Sequence, residues 1–375
     1  MAHSQTIPTL VTPTVDELEK AFDHLVKELP VIPFDRNSAN HTLFQFLEED
    51  VASSSFLKLL RQFPELLALT QDSKSEYTIF LPPDSCWKEE LDDEKVAPED
   101  VKELVSFHMS PHYVTTVGLL HMPNVPTVLN PRNLNGPQII RSQASGSGWK
   151  FNGSSRIAKG NILCRNGVIH KINHILTPPP DILTILERNA LQTFRSAIEA
   201  VGTDSVFVSG IKGGTVFAPR DDAFGALGED VTHFLFGTKA GLPYLRALLQ
   251  LHLVPDFTFF SNLIWPKNNT GARQTSKDES KKIKGRMTQS LPTALKNSAG
   301  EPTNLAVTIV RFNALISLSI NRIANVVGKD FAANNGVVHV IDRVLLPQGN
   351  EDTPSDGEMT LERFKDMFFL DQSLG

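Results

Sequence analysis

Four histidines occupy matching places in the two halves of this 375-residue chain. His108 and His170 in the first half correspond to His252 and His339 in the second. Histidine is the usual general acid or base at neutral pH, so these side chains are the first candidates for chemistry. Because His170 and His339 stand within apolar runs, a buried imidazole hydrogen-bonded to the backbone or to a carboxylate is the favoured interpretation.

No other reactive constellation accompanies these histidines. The sequence has no Cys-x-x-Cys, no His-Glu-x-x-His, no P-loop and no Gly-x-Ser-x-Gly. A histidine paired with Asp84 or Asp221 would form an acid/base couple, but its presence in both halves favours a role in the fold. We therefore expect no catalytic residue, no metal and no cofactor, and the prediction leans away from an enzyme.

The elements that carry the histidines are themselves repeated. Asn-Gly-Val-Ile-His-Lys-Ile at 166–172 returns as Asn-Gly-Val-Val-His-Val-Ile at 335–341. The Asn-Gly pair predicts a tight turn with a positive φ at the glycine. The β-branched run that follows, apolar on both faces, predicts a strand in the middle of a sheet that continues until Pro178 or Pro347.

Two further landmarks recur in the same order. Residues 77–87 match residues 214–224, and both predict a short strand ending at proline, then an aspartate that caps a helix and an aromatic residue that faces the core. Residues 104–113 match residues 248–257. The chain is therefore predicted to contain the same domain twice.

These three ordered motifs resemble those of tandem fasciclin (FAS1) proteins of the fungal type, over residues 38–347. The resemblance implies an α+β fold with two FAS1-like domains, each a β-sandwich or wedge with packed helices. The first copy departs from the family pattern at Leu81, Cys86 and Trp87, and it has Asn173 where Asp342 stands in the second.

The resemblance also supplies candidate functional positions. The structural positions of the motif are Asp84, Asn166, Gly167, His170, Asp221, Asn335, Gly336, His339 and Asp342. Many fasciclin domains carry a Tyr-His pair implicated in integrin contact at the place of His108 and His252, but here the tyrosine is absent, so that contact is not inherited. The partner-binding candidates are Phe107, His108, Tyr113, Leu251, His252 and Phe257.

The organisation predicted from these motifs has four segments. They are an N-terminal extension (1–37), a first domain (38–178), a second domain (181–347) with an insertion at about 266–300, and a C-terminal tail with a short helix (348–375). Apolar residues at helical spacing over 14–29 predict an amphipathic helix that docks on the first domain. Three prolines at 178–180 predict a stiff connector, and the tail is expected to fold back on the second domain.

The net charge and the hydropathy of the sequence restrict the classes of partner that the protein can bind. With 36 basic and 42 acidic residues the net charge is −6, which argues against a nucleic-acid binder. Seven basic residues between Lys267 and Arg286 predict a solvated loop, with a polyanion contact as the alternative. No apolar run approaches the roughly 20 residues that a membrane helix needs.

The cysteines and the N-terminal sequence give information on whether the protein is extracellular or cytoplasmic. Cys86 and Cys164 are expected to be free thiols, although the strand order of fasciclin domains would allow a bridge between them. The resemblance implies an extracellular or cell-surface protein. The N-terminus shows no signal-peptide pattern, which keeps a cytoplasmic location as the alternative.

Two functions are compatible with these observations. The first is a non-catalytic fasciclin-type adhesion or interaction protein that binds a matrix, cell-wall or membrane-protein partner. The second is a fasciclin-domain accessory protein or enzyme of secondary metabolism with a small-molecule pocket. The first is favoured.

Overall fold

The computed structural model of the protein describes residues 12–91, 97–202, 211–262, 283–347 and 359–368. The described helices are α1 (Val15–Glu28), α2 (Leu43–Glu49), α3 (Ser54–Leu60), α4 (Pro64–Gln71), α5 (Asp84–Leu91), α6 (Pro98–Phe107), α7 (Thr116–Leu119), α8 (Ile182–Arg188), α9 (Gln192–Val201), α10 (Asp221–Gly225), α11 (Glu229–Gly237), α12 (Leu242–Leu251) and α13 (Leu361–Asp366). The described strands are β1 (Tyr77–Leu81), β2 (Met109–Ser110), β3 (Asn124–Pro126), β4 (Ile139–Ser145), β5 (Gly148–Phe151), β6 (Ser155–Cys164), β7 (Gly167–Ile172), β8 (Gly214–Pro219), β9 (Leu253–Val254), β10 (Lys284–Lys296), β11 (Pro302–Phe312), β12 (Leu315–Ile320), β13 (Ala324–Ala333) and β14 (Gly336–Ile341). The predicted α+β fold class is confirmed.

Each copy contains one seven-stranded sheet with the histidine-bearing strand inside it. The strand orders are β2-β1-β7-β6-β5-β4-β3 and β10-β11-β12-β13-β14-β8-β9. The early landmark strand pairs in parallel with the late one, which places Phe80 opposite His170 and Phe217 opposite His339. The predicted correspondence of the two halves is confirmed residue by residue at these positions.

The late strands end earlier than the sequence predicts. β7 and β14 stop well before Pro178 and Pro347. The backbone N–H of Leu176 does not join the sheet ladder but donates to the ring of His108 at 3.0 Å, and the second copy repeats this bond. The strands therefore end before proline can interrupt the ladder, and the segment that follows each of them is held by a side-chain acceptor.

The third landmark carries a one-residue shift after its proline. The hydroxyl of Thr78 donates to the carbonyl of His112, and the matching Thr215 donates to the carbonyl of Phe257. Phe257 is thus equivalent to His112, and its sequence alignment with Tyr113 is wrong. The extra residue is accommodated because the residue before Phe257 adopts a φ of 55°.

The N-terminal helix α1 begins at a capping box and packs mainly on strands β10–β12 of the second copy. The ring of Phe22 meets that of Phe312 edge-on, with centroids 5.4 Å apart, and Glu19 lies 3.9 Å from Lys284. The chain reaches the core of the first copy only at the end of the helix, near Leu29. The predicted docking on the first domain is therefore wrong, because helical periodicity indicates a buried face but not the surface that covers it.

The helices that open each copy are capped as predicted. The side chain of Thr42 accepts the N–H of Gln45 at the start of α2, and Asp181 accepts the N–H of Thr184 at the start of α8. At the C-terminal end, α13 folds back on the second copy, where Phe368 packs 6.1 Å from the ring of Tyr244.

Part of the extra length of the second copy is ordered strand. β10 has 13 residues and β11 has 11, whereas the equivalent β3 and β4 have 3 and 7. The predicted loop over 266–300 is therefore wrong for its second part, which holds Lys284 and Arg286 in β10. Residues 263–282, with the other five basic side chains of the stretch, lie outside the described residues.

Buried polar groups join the two copies. Arg311 is 1% exposed, and its guanidinium donates to the carbonyl of His121 at 2.7 Å. Asn124 and Asn262 exchange hydrogen bonds of 3.0 and 3.2 Å. These contacts between the copies favour the restricted orientation that the triple-proline connector predicts.

Candidate functional site

His170 and His339 are held inside the sheets by two backbone partners each. In His170, Nε2 lies 2.8 Å from the carbonyl oxygen of Val114, and Nδ1 accepts the N–H of Asn161 at 3.3 Å. His339 repeats both contacts at 2.7 and 3.3 Å. A carbonyl only accepts, so the proton lies on Nε2 and each ring is neutral.

His108 and His252 carry the proton on the other nitrogen. Nδ1 of His108 donates to the carbonyl of Leu104 at 2.8 Å, the residue one helical turn earlier, while Nε2 accepts the N–H of Leu176. His252 makes the same two bonds at 2.8 and 3.0 Å. Each ring therefore ties the end of α6 or α12 to the segment that follows the late strand.

Burial holds all four imidazoles in the neutral form. It lowers the pKa of His108, His170 and His252 to about 4, against the opposing effect of the backbone hydrogen bonds. It also lowers the pKa of His339, although the negative charge of Asp330 opposes this. A general acid or base must reach the proton that it transfers, and these rings have no exposed surface and no unused nitrogen.

Four of the six predicted partner-binding residues lie in the interior. Phe107, His108, Leu251 and His252 are at most 1% exposed, so a partner cannot contact their side chains in this structure. They end the amphipathic helices α6 and α12 on the side that faces the core. The other two candidates, the half-buried Tyr113 and the 41% exposed Phe257, reach the surface.

The glycines of the two Asn-Gly pairs are needed in the fold, but for a reason other than the predicted turn. Neither Gly167 nor Gly336 has a positive φ, so the predicted turn conformation is wrong. A Cβ at Gly167 would lie 2.1 Å from the carbonyl oxygen of Tyr77, and one at Gly336 would lie 2.2 Å from that of Gly214. Glycine is therefore required by the close approach of the parallel strand, not by backbone rotation.

The asparagine before each glycine fixes the first helix of its copy. The Asn166 side-chain oxygen accepts the N–H of Leu43 at 2.8 Å, and its amide donates to the carbonyls of Thr70 and Asp72. Asn335 accepts the N–H of Ile182 at 3.0 Å in the same way.

Asp84 and Asp221 are helix caps, but each caps an earlier helix of its copy and not the helix that it begins. Asp84 accepts the hydroxyl of Ser54 at 2.7 Å and the N–H of Ser55 at 2.8 Å at the start of α3. Asp221 accepts the N–H of Thr193 at 2.8 Å at the start of α9. The pKa of Asp84 is lowered because these hydrogen bonds outweigh the opposing effect of its burial.

The substitution of Asn173 for Asp342 leaves this part of the motif intact. The side-chain oxygen of Asn173 accepts the N–H of Arg156 at 2.7 Å, and that of Asp342 accepts the N–H of Asn325 at 2.7 Å. Both side chains accept this backbone N–H, and the second oxygen of Asp342 also accepts from the side-chain amide of Asn325 at 3.1 Å.

Sequence reasoning missed a matched pair beside the histidines. Asn161 and Asp330 both adopt a positive φ, of 54° and 60°, and both are buried. The Asn161 side chain bonds the N–H and hydroxyl of Thr116, and Asp330 bonds the same groups of Ser261. The available signal was their equal spacing, nine residues before each late-motif histidine.

A basic groove lies on the second copy between α12 and β10. Its volume is about 770 Å³, and its described lining contains the cations Lys239, Arg246 and Lys296 but no carboxylate. Leu242, 38% exposed, adds an apolar surface. The groove thus combines positive charge with a small hydrophobic area.

The two thiols are free in the structure. Cys164 is buried, and burial raises its pKa to about 12. Cys86 is half-buried and its sulfur lies 3.4 Å from the carbonyl of Asn173. Across the described ranges, no three His, Cys, Asp or Glu side chains converge as a metal site requires. No helix within those ranges has both the length and the hydropathy to cross a membrane.

Comparison with known proteins identifies related chains. Aurofusarin biosynthesis cluster protein S of the fungus Gibberella zeae is 28% identical over 63% of this chain and 60% of its own length. Human periostin is 25% identical over 74% of this chain and 29% of its own length. The chain therefore spans less than two thirds of these relatives. A FAS1 domain pair from the insect cell adhesion molecule fasciclin I aligns with 80% of this chain and 98% of its own, at 19% identity and a TM-score of 0.33.

The family assignment comes from the match to a family model. The fasciclin domain model matches this chain twice, at residues 52–178 and 189–347. Both matches contain the early strand, the late strand and the histidines that the geometry above relates to each other. The chain belongs to the fasciclin domain family and carries two fasciclin domains in tandem.

Proposed function

We propose that the protein is a non-catalytic binding protein of the fasciclin type, whose partner is a protein or polysaccharide at a cell surface or matrix. One observation carries this proposal: the four duplicated histidines are sealed from solvent and use both ring nitrogens on their own backbone. The titratable groups of the motif therefore serve the fold in both copies. The residues that bind a partner are therefore expected on the surface of the protein.

The basic groove between α12 and β10 is the surface best suited to such a partner. Lys239 and Lys296 are exposed at the groove, and no carboxylate of its described lining neutralises them. Positive charge concentrated in a concave surface attracts anionic groups and accelerates their association. The chemistry fits an acidic polysaccharide, which offers regularly spaced carboxylates.

Binding to immobilised polygalacturonate, compared with a neutral β-glucan, tests this proposal. We expect saturable binding to the acidic polymer that weakens with added salt, and a loss of about tenfold or more in the double variant Lys239→Glu/Lys296→Glu. The matched control is Lys58→Glu/Lys74→Glu, which makes the same charge change at exposed positions of the first copy. Equal weakening in both double variants, or no saturable binding at all, would refute the groove as the binding surface.

A second candidate function is a small-molecule accessory role in secondary metabolism. It is supported by the similarity to a biosynthesis cluster protein and by a cavity of about 480 Å³ between the two copies. Native mass spectrometry of the protein purified from its source organism tests it. A bound small molecule that is released on denaturation would support this function, and a mass equal to that of the bare chain would count against it.

A further inference from the structure

The cavity between the two copies is built from three parts of the chain. Its walls come from β4 and the turn between β5 and β6 in the first copy, from the segment 176–180 that includes the connector, and from α8 and β13 of the second copy. The volume of about 480 Å³ lies within the range of pockets that hold small organic ligands. Leu176, Ile185, Phe331 and the prolines give it an apolar side.

One cation faces this cavity without an acceptor. The Arg141 guanidinium lies over the ring of Phe331, 5.0 Å from its centroid. Stacking on a ring face occupies the plane of the guanidinium and leaves its N–H donors at the edge. Among the described residues, no carboxylate or carbonyl oxygen is hydrogen-bonded to this group. Burial lowers the pKa of Arg141, against the opposing charge of Asp330.

The nearby carboxylate does not fill this role. Both oxygens of Asp330 are bonded to Ser261, one to its N–H at 2.7 Å and one to its hydroxyl. Asp330 influences Arg141 only as a charge at a distance. The charge of Asp330 also acts on the buried Arg311 and on Lys329. Among the residues that line the cavity, two cations, Arg141 and Arg188, outnumber this one carboxylate.

Asn152 and Arg188 add hydrogen-bond donors to the cavity lining. Asn152 accepts the backbone N–H of Arg141 at 2.9 Å through its side-chain oxygen, so its NH₂ group still has donors to offer. Arg188, exposed at the end of α8, places a second guanidinium at the rim. Arg141, Asn152 and Arg188 thus offer donors to the cavity.

We propose that this cavity, named here the junction cavity, binds a small organic anion: an oxyanion group held by Arg141 and Asn152, with an apolar, ring-sized body against Phe331 and the prolines of the connector. A guanidinium binds a carboxylate through two parallel hydrogen bonds, which relieves the cost of keeping its charge partly buried. The proposal deepens the second candidate function by naming the ligand class. It does not involve the basic groove.

Binding of 2-naphthoate, measured by isothermal titration calorimetry on the full chain, tests the proposal. We expect saturable binding to the parent protein, at least tenfold weaker binding to Arg141→Gln, and partial recovery in Arg141→Lys, which keeps the charge but not the fork of donors. Arg36→Gln, at an exposed arginine far from the cavity lining, is the matched control and should bind like the parent. The neutral analogue 2-naphthylmethanol and the ion acetate, which lacks the ring, should each bind much more weakly than 2-naphthoate.

The experiment distinguishes a variant that has lost its fold from a variant that has lost only ligand binding. Thermal melts of each variant show whether it is folded, and if Arg141→Gln is unfolded the comparison of 2-naphthoate with its neutral analogue on the parent decides. Equal binding of the acid and the neutral analogue would overturn the proposal, as would unchanged affinity in a folded Arg141→Gln protein. The groove variant Lys239→Glu/Lys296→Glu should still bind 2-naphthoate, so failure of the polysaccharide proposal and failure of this one are distinguishable.

Discussion

The two copies hold their late-motif histidines in the same way but differ in charge beside them. Asn161 in the first copy and Asp330 in the second share a positive φ, and each bonds the backbone N–H and the hydroxyl of one residue, Thr116 and Ser261 respectively. The amide lies within its own domain and bonds the N-terminal segment at Ile32, whereas the carboxylate lies among cations at the junction. The geometry is thus a property of the fold, and the charge depends on what surrounds each copy.

The copies differ in a second way, in the length of one hairpin. The β10–β11 hairpin of the second copy receives most of α1, and the short β3–β4 pair of the first copy faces the junction. Arg311 of β11 also reaches the junction, so the longer hairpin of the second copy serves both contacts. The two copies share the core of the sheet and differ in the strands at this edge.

The largest effect is expected where the two copies are most alike. Gly167→Val and Gly336→Val each place a side chain against the carbonyl of the neighbouring strand, so each should destabilise its copy by about 4 kcal/mol or more. Denaturant unfolding measures the loss. Gly225→Ala is the control, because a Cβ there meets nothing within 4 Å and the residue has no positive φ. Unfolding at the parent's midpoint in either valine variant would contradict the account of close approach.

Replacing the late-motif histidines should also affect both copies. His170→Ala and His339→Ala each leave a cavity and two unpaired backbone groups, at a cost of about 3 kcal/mol. The pH dependence gives a second test. A histidine with a folded-state pKa of about 4 contributes stability that is fully present above about pH 6.5 and is lost as the pH falls towards 4.

Unfolding free energies at pH 7.5 and pH 5 should therefore show a steep loss in the parent protein. That loss should be smaller in His170→Ala by about 2 kcal/mol, because the unfolded state has one fewer histidine to protonate. A His170→Ala protein that melts like the parent but has lost ligand binding would contradict the architectural role.

The sequence predicted which elements are repeated, but it did not predict the tertiary contacts that each repeat makes. The ordered motifs identified the repeated strands, the correspondence of Phe80 with Phe217 and of His170 with His339, and the buried aromatic Trp87, because periodicity and turn residues report local structure. The positive φ expected at Gly167 failed, because glycine serves both turns and close contacts and the sequence does not distinguish them.

The candidate site was harder to predict for a related reason. His108 occupies the position of a motif that makes a surface contact in related domains. In this protein it follows the last turn of α6 on the face that packs against the core, and its side chain is buried. The partner of α1 and the junction cavity around Arg141 depend on contacts between residues far apart in the chain, which no local pattern encodes. Of the junction features, only the stiffness of the connector was visible in the sequence.

Exchanging the charge beside the histidines sharpens the comparison further. Asp330→Asn keeps the bonds to Ser261, as Asn161 does with Thr116, but removes the carboxylate near Arg311 and Lys329, and should cost about 2 kcal/mol at pH 7. Denaturant unfolding at several pH values measures this. Burial raises the pKa of Asp330, but the charge that His339 gains when it is protonated in acid and the hydrogen bonds from Ser261 lower the pKa by more. The contribution of Asp330 is therefore present above about pH 4 and is lost as the pH falls further.

The reciprocal change gives the opposite pH dependence. Asn161→Asp would place a carboxylate against the carbonyl oxygen of Ile32, which now accepts from the Asn161 amide at 2.9 Å. The variant should be destabilised at pH 7 and recover as the pH is lowered and the new carboxyl becomes protonated. If both exchanges were neutral at pH 7, the charge difference between the copies would have no structural meaning.

The smallest effect is expected at the two aspartate caps, where the copies differ by one hydrogen bond. Asp84 accepts from both the hydroxyl of Ser54 and the N–H of Ser55, whereas Asp221 accepts from the N–H of Thr193. Asp84→Ala should cost about 1.5 kcal/mol and Asp221→Ala about 1 kcal/mol, the range for removing a helix cap.

Because the pKa of Asp84 is lowered, its contribution is present above about pH 4 and is lost as the pH falls below, so the difference between the parent and Asp84→Ala should shrink in acid. Thermal melts at pH 7 and pH 3.5 measure both effects, and Asp84→Asn is the control that keeps an oxygen acceptor without the charge. A larger loss for Asp221→Ala than for Asp84→Ala would show that the number of cap hydrogen bonds does not set the stability of these two helices.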